Sequence, residues 1–184
     1  MTADPGEAEA LGAATPAVPV AGVKPGFLLF ALAIVVLDQW SKWMVEAHLP
    51  FHASVRIIPG FLDFTHVRNT GVAFGFLASQ GDLARTLMLT ALGLGALTVV
   101  GIYFWRTPAD DRLLLAALAL ILGGAVGNLL DRIAAGAVTD FIDVYVRSYH
   151  WHTFNVADSA ITIGIVLMAL DLWRARAQRV VRGS

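Results

Sequence analysis

The chain lacks cysteine and is poor in charged residues. Because none of its 184 residues is cysteine, disulfides, thiolate metal ligands and cysteine nucleophiles are excluded. Charged residues make up 15% of the sequence, whereas a soluble domain usually carries about a quarter. The net charge of −1 gives no general argument for a nucleic-acid partner. The sequence also contains no HExxH metal motif, no GxSxG motif and no glycine-rich phosphate loop.

The apolar residues, which make up 57% of the sequence, are concentrated in long blocks. These blocks cover about residues 27–47, 83–105, 113–134 and 156–173. Each is close to the ~20 residues that cross a ~30 Å hydrocarbon layer, so the pattern predicts four transmembrane helices. In the third block, Gly123 and Gly127 form a small-xxx-small pattern, which lets a neighbouring helix approach closely.

Basic residues near the block ends predict the orientation in the membrane. Arginines are frequent after the fourth block, so the C-terminus is expected in the cytoplasm. With four crossings the N-terminus is cytoplasmic too, and the connections 48–82 and 135–155 lie outside. Residues 1–25, rich in Ala, Pro, Gly and Glu, are expected to be a disordered cytoplasmic tail. Residues 26–174 then form the membrane domain, and residues 175–184 form a basic cytoplasmic tail.

The first outer connection contains a strand pattern. Residues 55–58 and 61–67 flank a Pro-Gly pair, which predicts two short strands joined by a turn. Strand edges cannot face hydrocarbon because their backbone groups would be unpaired. The second outer connection, which mixes aromatic and polar residues, is expected to be an interfacial segment. The predicted fold is an all-α membrane protein, a four-transmembrane-helix bundle with a small extracytoplasmic β-sheet.

Polar and ionisable residues of the spans gather near the outer membrane face. Such groups are costly in lipid and rare unless paired or functional. Asp38 and Lys42 are four residues apart and can pair on one helix face, and Asn128 and Arg132 have the same spacing. Lys42 and Arg132 have an alternative role in interhelical hydrogen bonding and snorkelling, and Asp131 is expected to pair with a nearby cation. The group consists of Asp38, Lys42, Asn128, Asp131, Arg132, Asp140 and Asp158.

Asp140 and Asp158 are the candidates for acid-base chemistry. Asp158 stands three residues after Asn155, so one interpretation is a helix-capping pair. Asp140 has a simpler interpretation as a polar loop residue, and Asp143 competes with it in the same short stretch. Two carboxylates at one membrane rim cannot both ionise easily and tend to share a proton. Such a pair supplies a general base for water and a general acid for the scissile group.

Five motifs together resemble the bacterial lipoprotein signal peptidases, also called type II signal peptidases. They are VLDQWSK, NTGVAFG, GGAVGNLLDR, VTDF and FNVADSAITIG, in this order over about residues 26–174. The resemblance implies a sheet that cradles the substrate, and an aspartyl endopeptidase without metal or organic cofactor. It implies cleavage of a lipid-modified prolipoprotein just before its diacylglyceryl-cysteine.

The resemblance also assigns residues. It implies that Asp140 and Asp158 form the catalytic pair, with Asp140 preferred over Asp143. The expected substrate-binding or supporting residues are Asp38, Lys42, Asn69, Gly71, Asn128, Arg132 and Asn155. The expected location is the bacterial inner membrane, among membrane lipids, with the active site near the outer face. We expect a monomer with a prolipoprotein substrate and no nucleic-acid partner.

Two other classes of function compete on the residues alone. Intramembrane carboxylates also mark proton- or cation-coupled transporters, although these favour carboxylates near the midplane and an internal repeat. A membrane scaffold that binds lipoproteins without cutting them is the second alternative. Cleavage of a lipidated prolipoprotein by the purified protein distinguishes the peptidase from both.

Overall fold

The computed structural model describes residues 23–71 and 82–182, with side chains described up to residue 177. This part of the chain contains four helices, α1 (Val23–His48), α2 (Asp82–Arg106), α3 (Arg112–Ala135) and α4 (Val156–Arg182). Each of them is long and apolar enough to cross a membrane. The predicted four spans are therefore confirmed, with boundaries that differ by a few residues.

The two largest boundary differences lie at the chain ends. Helix α1 begins at Val23, inside the predicted disordered tail, and residues 1–22 of that tail lie outside the described residues. Helix α4 continues to Arg182, so the predicted basic tail from residue 175 extends the fourth helix through that residue. The NTGVAFG motif is described only up to Gly71.

Four antiparallel strands form one sheet in the described residues. They are β1 (Ser54–Ile58), β2 (Leu62–Asn69), β3 (Val138–Val146) and β4 (Tyr149–His150), in the spatial order β1-β2-β3-β4. The predicted first two strands are confirmed, and Gly60 takes a φ of 79° in the turn between them. Strands β3 and β4 occupy the segment that was expected only to be interfacial. The β-branched and aromatic residues of β3 (VTDFIDVYV) are the residue types that favour a strand.

Helix α3 is the centre of the bundle because its small residues admit the neighbouring helices. In its span 67% of the residues are buried, compared with 6% for the span of α2. A Cβ added to Gly123 would lie 2.7 Å from the carbonyl oxygen of Ala31 in α1, and one added to Gly124 would meet the carbonyl oxygen of Ala157 in α4. At Gly127 an added Cβ would lie 2.5 Å from Asp38 Oδ2 of α1, so close approach of α1 at the predicted pair Gly123 and Gly127 is confirmed, and Gly124 is a further close contact that was not predicted.

One end of the bundle carries the sheet. Helices α1 and α3 end there and α4 begins there, since β1 follows α1 and β3 lies between α3 and α4. Helix α2 also starts at this end, where the Thr86 hydroxyl donates to the carbonyl oxygen of Gly136, just after α3. All five tryptophans are exposed, as expected for residues that contact lipid and interface. We call this end of the molecule the sheet end.

Candidate active site

The first turn of α4 fixes the position of Asp158. The Asp158 backbone N–H donates to Asn155 Oδ1 at 2.9 Å, and the Asn155 N–H donates to Asp158 Oδ2 at 3.4 Å. This reciprocal pair is the capping pattern that the sequence predicts. The backbone N–H of Ala157 donates to Asp38 Oδ1 at 2.9 Å, so a buried carboxylate of α1 satisfies a further N–H at this helix start.

Asp140 lies on β3 and is held from two sides by amides. Asn69 Nδ2 donates to Asp140 Oδ2 at 3.0 Å, because antiparallel pairing of β2 and β3 sets Val67 opposite Asp140 and brings Asn69 beside it. Asn155 Nδ2 donates to Asp140 Oδ1 at 2.7 Å. The N–H of Gly71, which has a φ of 79°, donates to Asn69 Oδ1 at 2.9 Å. Gly71 thereby turns the Asn69 amide so that its NH₂ group faces Asp140.

Two asparagine side chains join the two candidate carboxylates into one network. Asn128 Nδ2 donates to Asp158 Oδ1 at 2.7 Å, and Asn155 Nδ2 also lies 3.2 Å from Asn128 Oδ1. Asn155 therefore contacts Asp140 through its side-chain NH₂ and Asp158 through its side-chain oxygen. The structure thus brings together Asp140 from β3, Asn128 from α3, and Asn155 and Asp158 at the start of α4.

Lys42 is the centre of a buried ionic cluster next to this network. Its Nζ lies 2.8 Å from Asp38 Oδ2 and 2.7 Å from Asp131 Oδ2, and it donates to Asn128 Oδ1 at 3.1 Å. The expected Asp38–Lys42 pair and the expected pairing of Asp131 with a cation are both confirmed. Because Lys42 is bonded to the oxygen of the Asn128 amide, the NH₂ group of that amide faces Asp158.

Gln39 also belongs to the cluster, although the sequence interpretation did not select it. Its Nε2 donates to Asp131 Oδ1 at 2.8 Å and lies 3.2 Å from the carbonyl oxygen of Gly127, so it links α1 to α3. An uncharged polar residue inside a predicted span, directly after Asp38, was the available signal. The bond from the Ala157 backbone to Asp38 had no such signal, because every residue except proline carries the same N–H.

Arg132 supplies positive charge close to the network. Its Nη1 donates to the carbonyl oxygen of Asn128 at 3.2 Å, one helical turn away. The guanidinium interacts electrostatically with Asp158, Asp131 and Asp140. Arg132 is half-buried, so its field is screened less than that of a surface arginine.

The electrostatics of Asp140 differ from those of a surface aspartate. Asp140 is 2% exposed, and this burial raises its pKa from 3.8 to about 6. The hydrogen bond from Asn69 opposes the increase, and the negative charge of Asp158 adds to it. A carboxyl group with such a pKa changes protonation state near neutral pH, which suits general acid-base chemistry.

Asp143 is separated from the network by the alternation of the strand. It is three residues beyond Asp140 on β3, so its side chain points to the other face of the sheet. There its Oδ2 lies 2.9 Å from His150 Nδ1. Of the two competing aspartates, only Asp140 contacts the asparagine network.

Asp158 lines an open cavity of about 460 Å³ at the sheet end. The wall includes aromatic and small polar side chains from the segment before α4 and from its first two turns. These include Trp151, His152, Phe154, Ser159 and Thr162. Asp158 is therefore accessible from this cavity, whereas Asp140 is buried and does not line it. Within residues 23–71 and 82–182, no group of three or more His, Asp or Glu side chains is arranged to hold a metal ion.

Comparison with known proteins identifies similar chains along most of the length. A family model described as Signal peptidase (SPase) II matches residues 30–174. The lipoprotein signal peptidase of Solibacter usitatus is 45% identical over 148 residues, which cover 80% of this chain and 90% of that protein. The lipoprotein signal peptidase of Syntrophus aciditrophicus is 41% identical over 153 residues, which cover 83% of this chain and 95% of that protein.

Solved structures support the same similarity. One, reported as a bacterial membrane enzyme structure by the in meso method, superposes with a TM-score of 0.69 at 31% identity, covering 84% of this chain and 91% of that one. A second with the same description has a TM-score of 0.68 at 33% identity, covering 80% and 92%. The four-helix bundle and its sheet are thus shared with experimentally determined membrane enzymes.

Proposed function

The chain belongs to the signal peptidase II family, and from this membership we propose that it is an aspartic endopeptidase that removes signal peptides from lipid-modified prolipoproteins. The observation that carries the proposal is the network in which Asn155 donates to both carboxylates, through its side-chain Nδ2 to Asp140 Oδ1 and through its backbone N–H to Asp158 Oδ2. It supplies a pair of carboxylates from different elements, close enough that the charge of Asp158 raises the pKa of Asp140.

The proposed reaction uses one proton shared between the two carboxylates. The ionised member accepts a proton from a water molecule, whose oxygen attacks the carbonyl carbon of the scissile peptide bond. The protonated member donates to the carbonyl oxygen, and a proton is then transferred to the leaving nitrogen as the C–N bond breaks. Because the two groups are coupled, their apparent pKa values belong to the pair.

The exposure of the two carboxylates indicates the side from which the substrate enters. Asp158 is half-buried and lines the open cavity, whereas Asp140 is buried and does not line it. The scissile bond therefore approaches from the side of Asp158, and the water lies between the carboxylates. Asn69, Asn128 and Asn155 hold the carboxylate oxygens in place. The charge of Arg132 stabilises the oxyanion that forms on the carbonyl.

Three further residues hold in place the groups that contact the two carboxylates. Asp38 anchors the start of α4 through Ala157, Lys42 orients the Asn128 amide, and Gly71 orients that of Asn69. We assign these three to positioning rather than to contact with the peptide. The reaction proceeds without a metal ion or an organic cofactor.

The proposed setting is the bacterial inner membrane. Both termini are cytoplasmic, with the tail before residue 26 and the basic segment from residue 175 on that side, and the sheet end lies at the outer face. The lipid-modified cysteine of a prolipoprotein lies at this boundary, so its acyl chains remain in the bilayer while the peptide reaches Asp158. The chain acts as a monomer among membrane lipids, without nucleic acid.

The decisive experiment is a cleavage assay with the purified full chain and a lipidated prolipoprotein, read by mass spectrometry. Asp140→Asn and Asp158→Asn should each reduce the cleavage rate by at least about 10²-fold, as loss of an acid-base group does. Asp143→Asn is the matched control, because Asp143 lies on the same strand but bonds to His150, and it should retain wild-type activity.

The alternatives predict other outcomes of the same assay. A transporter or a scaffold would leave the substrate uncut, and full activity in either Asp140→Asn or Asp158→Asn would refute the aspartate pair. Addition of a chelator should not change the rate. A loss of activity that added metal restores would replace the proposed chemistry with a metal-dependent one.

A further inference from the structure

The end of the bundle opposite the sheet carries a second cavity with a different character. It has a volume of about 510 Å³ and lies between the start of α1, the end of α2 and the connection to α3. Its lining includes Lys24, Leu28, Trp105, Arg106 and Pro108. Because it lies at the ends of two membrane-spanning helices, this basic cavity is at the depth of the lipid headgroups.

Two cationic side chains line the basic cavity. Lys24 Nζ donates to the carbonyl oxygen of Trp105 at 2.7 Å and lies 5.7 Å from the centroid of the Trp105 ring. This uses one of its three N–H donors. Arg106 is exposed, and among the described residues its guanidinium has no ion pair or hydrogen bond. The lining therefore offers several free donors around one position.

No carboxylate lines the basic cavity in the part of the chain that the structure describes. Asp110 and Asp111 follow in the connection to α3 but do not line the cavity, and Asp111 caps α3 by accepting the Leu114 N–H at 3.2 Å. The described lining thus has two cations and no carboxylate. A negatively charged ligand at this depth would neutralise their charge.

The apolar part of the lining favours a lipid over a small anion. Leu28 and the Trp105 ring are both exposed and extend the cavity along the outside of the bundle. An acyl chain can lie on these two side chains while a phosphate occupies the space between the cations. Basic cavities between helices on the cytoplasmic side are suited to anionic headgroups in this way.

We propose that the basic cavity binds an anionic phospholipid, with the phosphate between Lys24 and Arg106 and one acyl chain along Leu28 and Trp105. The site is separate from Asp140 and Asp158, and the proposal does not depend on the peptidase activity. Bound lipid would connect the start of α1 to the end of α2, where Lys24 donates to the carbonyl oxygen of Trp105.

The test is lipid binding to the purified full chain in an uncharged detergent, measured by native mass spectrometry. Short-chain phosphatidylglycerol is titrated against short-chain phosphatidylcholine, and inorganic phosphate at equal ionic strength forms a third arm. We expect wild type to bind phosphatidylglycerol selectively. Arg106→Gln should weaken that binding about fivefold, which is the effect of one cation near an anionic headgroup.

Arg112→Gln is the matched control. Arg112 is an exposed arginine at the same end of the bundle but does not line the cavity, so this variant should bind as wild type does. Arg106→Lys keeps the charge and should retain most of the selectivity. In lipid-free detergent, prolipoprotein cleavage by Arg106→Gln should equal that of wild type.

Three outcomes would overturn the proposal. Equal binding of the two phospholipids by wild type would exclude recognition of the headgroup charge. An equal loss in Arg106→Gln and Arg112→Gln would indicate general surface attraction rather than a site. Displacement of phosphatidylglycerol by inorganic phosphate at similar concentration would indicate a small-anion site without a lipid component.

Discussion

The two ends of the helix bundle use charged residues in opposite ways. At the sheet end, Asp38, Lys42 and Asp140 are between 0% and 3% exposed and are bonded to one another or to shared amides. At the opposite end, Arg106 and Arg112 are exposed and have no ion pair within the described residues. Charged side chains are therefore desolvated at one end of the bundle and solvated at the other.

This difference indicates which charged residues should affect stability and catalysis when they are substituted. Removing one partner of a buried ion pair leaves an uncompensated charge and is strongly destabilising, whereas a surface charge usually contributes little. A desolvated carboxyl group also has a shifted pKa, which acid-base catalysis requires. Matched substitutions at the two ends separate the effect on stability from the effect on catalysis.

Lys42→Met should have the largest effect on stability. It removes the cation that neutralises Asp38 and Asp131, which should reduce the free energy of unfolding by roughly 3–5 kcal/mol. Lys24→Met on the same helix is the matched control, since Lys24 makes one hydrogen bond to an exposed carbonyl group and its loss should be well below 1 kcal/mol. Thermal unfolding in lipid-free detergent measures both. Similar losses of unfolding free energy in the two variants would contradict the predicted difference between the two ends of the bundle.

The second prediction concerns the pH dependence of stability due to Asp140. Its pKa in the folded chain is about 6 and its ordinary value is 3.8, so between these two values the folded state binds more protons than the unfolded state. Stability therefore decreases as the pH increases through this range, by at most about 3 kcal/mol. Melting temperatures at pH 4 to 7.5 should show this decrease in wild type and in Asp143→Asn, and a smaller one in Asp140→Asn.

The same group predicts the alkaline limb of activity. The proposed reaction needs one of the two carboxyl groups to be protonated, and the pKa of Asp140 is raised to about 6, so kcat/KM should decrease as the pH rises above about 6. The measurement is the initial rate of prolipoprotein cleavage across the same pH range. A rate that does not fall as the pH rises through this value would mean that the proton on Asp140 does not control the step.

The smallest effect is expected from a single methyl group. In Gly127→Ala the added Cβ would lie 2.5 Å from Asp38 Oδ2, so the cluster must shift, and overpacking of this kind costs roughly 1–3 kcal/mol. Gly101→Ala near the opposite end is the control, because nothing lies within 4 Å of its added Cβ. Melting temperature and cleavage rate should both fall for Gly127→Ala, whereas Gly101→Ala should lower neither, since alanine is favoured over glycine inside a helix.

The sequence was sufficient for the helices because apolar block length is a direct physical requirement of the bilayer. The capping pair Asn155–Asp158 and the i,i+4 pair Asp38–Lys42 were also predictable, since both depend on local spacing along one helix. The close packing at the glycines of α3 was predictable too, because small residues four apart in a membrane helix allow a neighbouring helix to approach.

The remaining features depend on contacts between segments far apart in the sequence. Strand β3 was not predicted because Asp140 and Asp143 interrupt its apolar pattern. The strand is defined by its pairing with β2, which lies about seventy residues earlier in the chain. Gln39 was missed because its partners lie on α3, about ninety residues away. That Asp140 rather than Asp143 joins the network follows from the face of a strand; the residues alone left both open, and only the family resemblance preferred Asp140.

Amide N–H groups of Asn155 hold both candidate carboxylates, the side-chain Nδ2 at Asp140 and the backbone N–H at Asp158. An amide neither gains nor loses a proton in the physiological range, so the link between Asp140 and Asp158 persists whichever of them is ionised. A change in pH would then alter the number of protons held by the pair without altering how its carboxylates are held. Activity lost at an unfavourable pH would therefore return as soon as the pH is restored, with no slow conformational step.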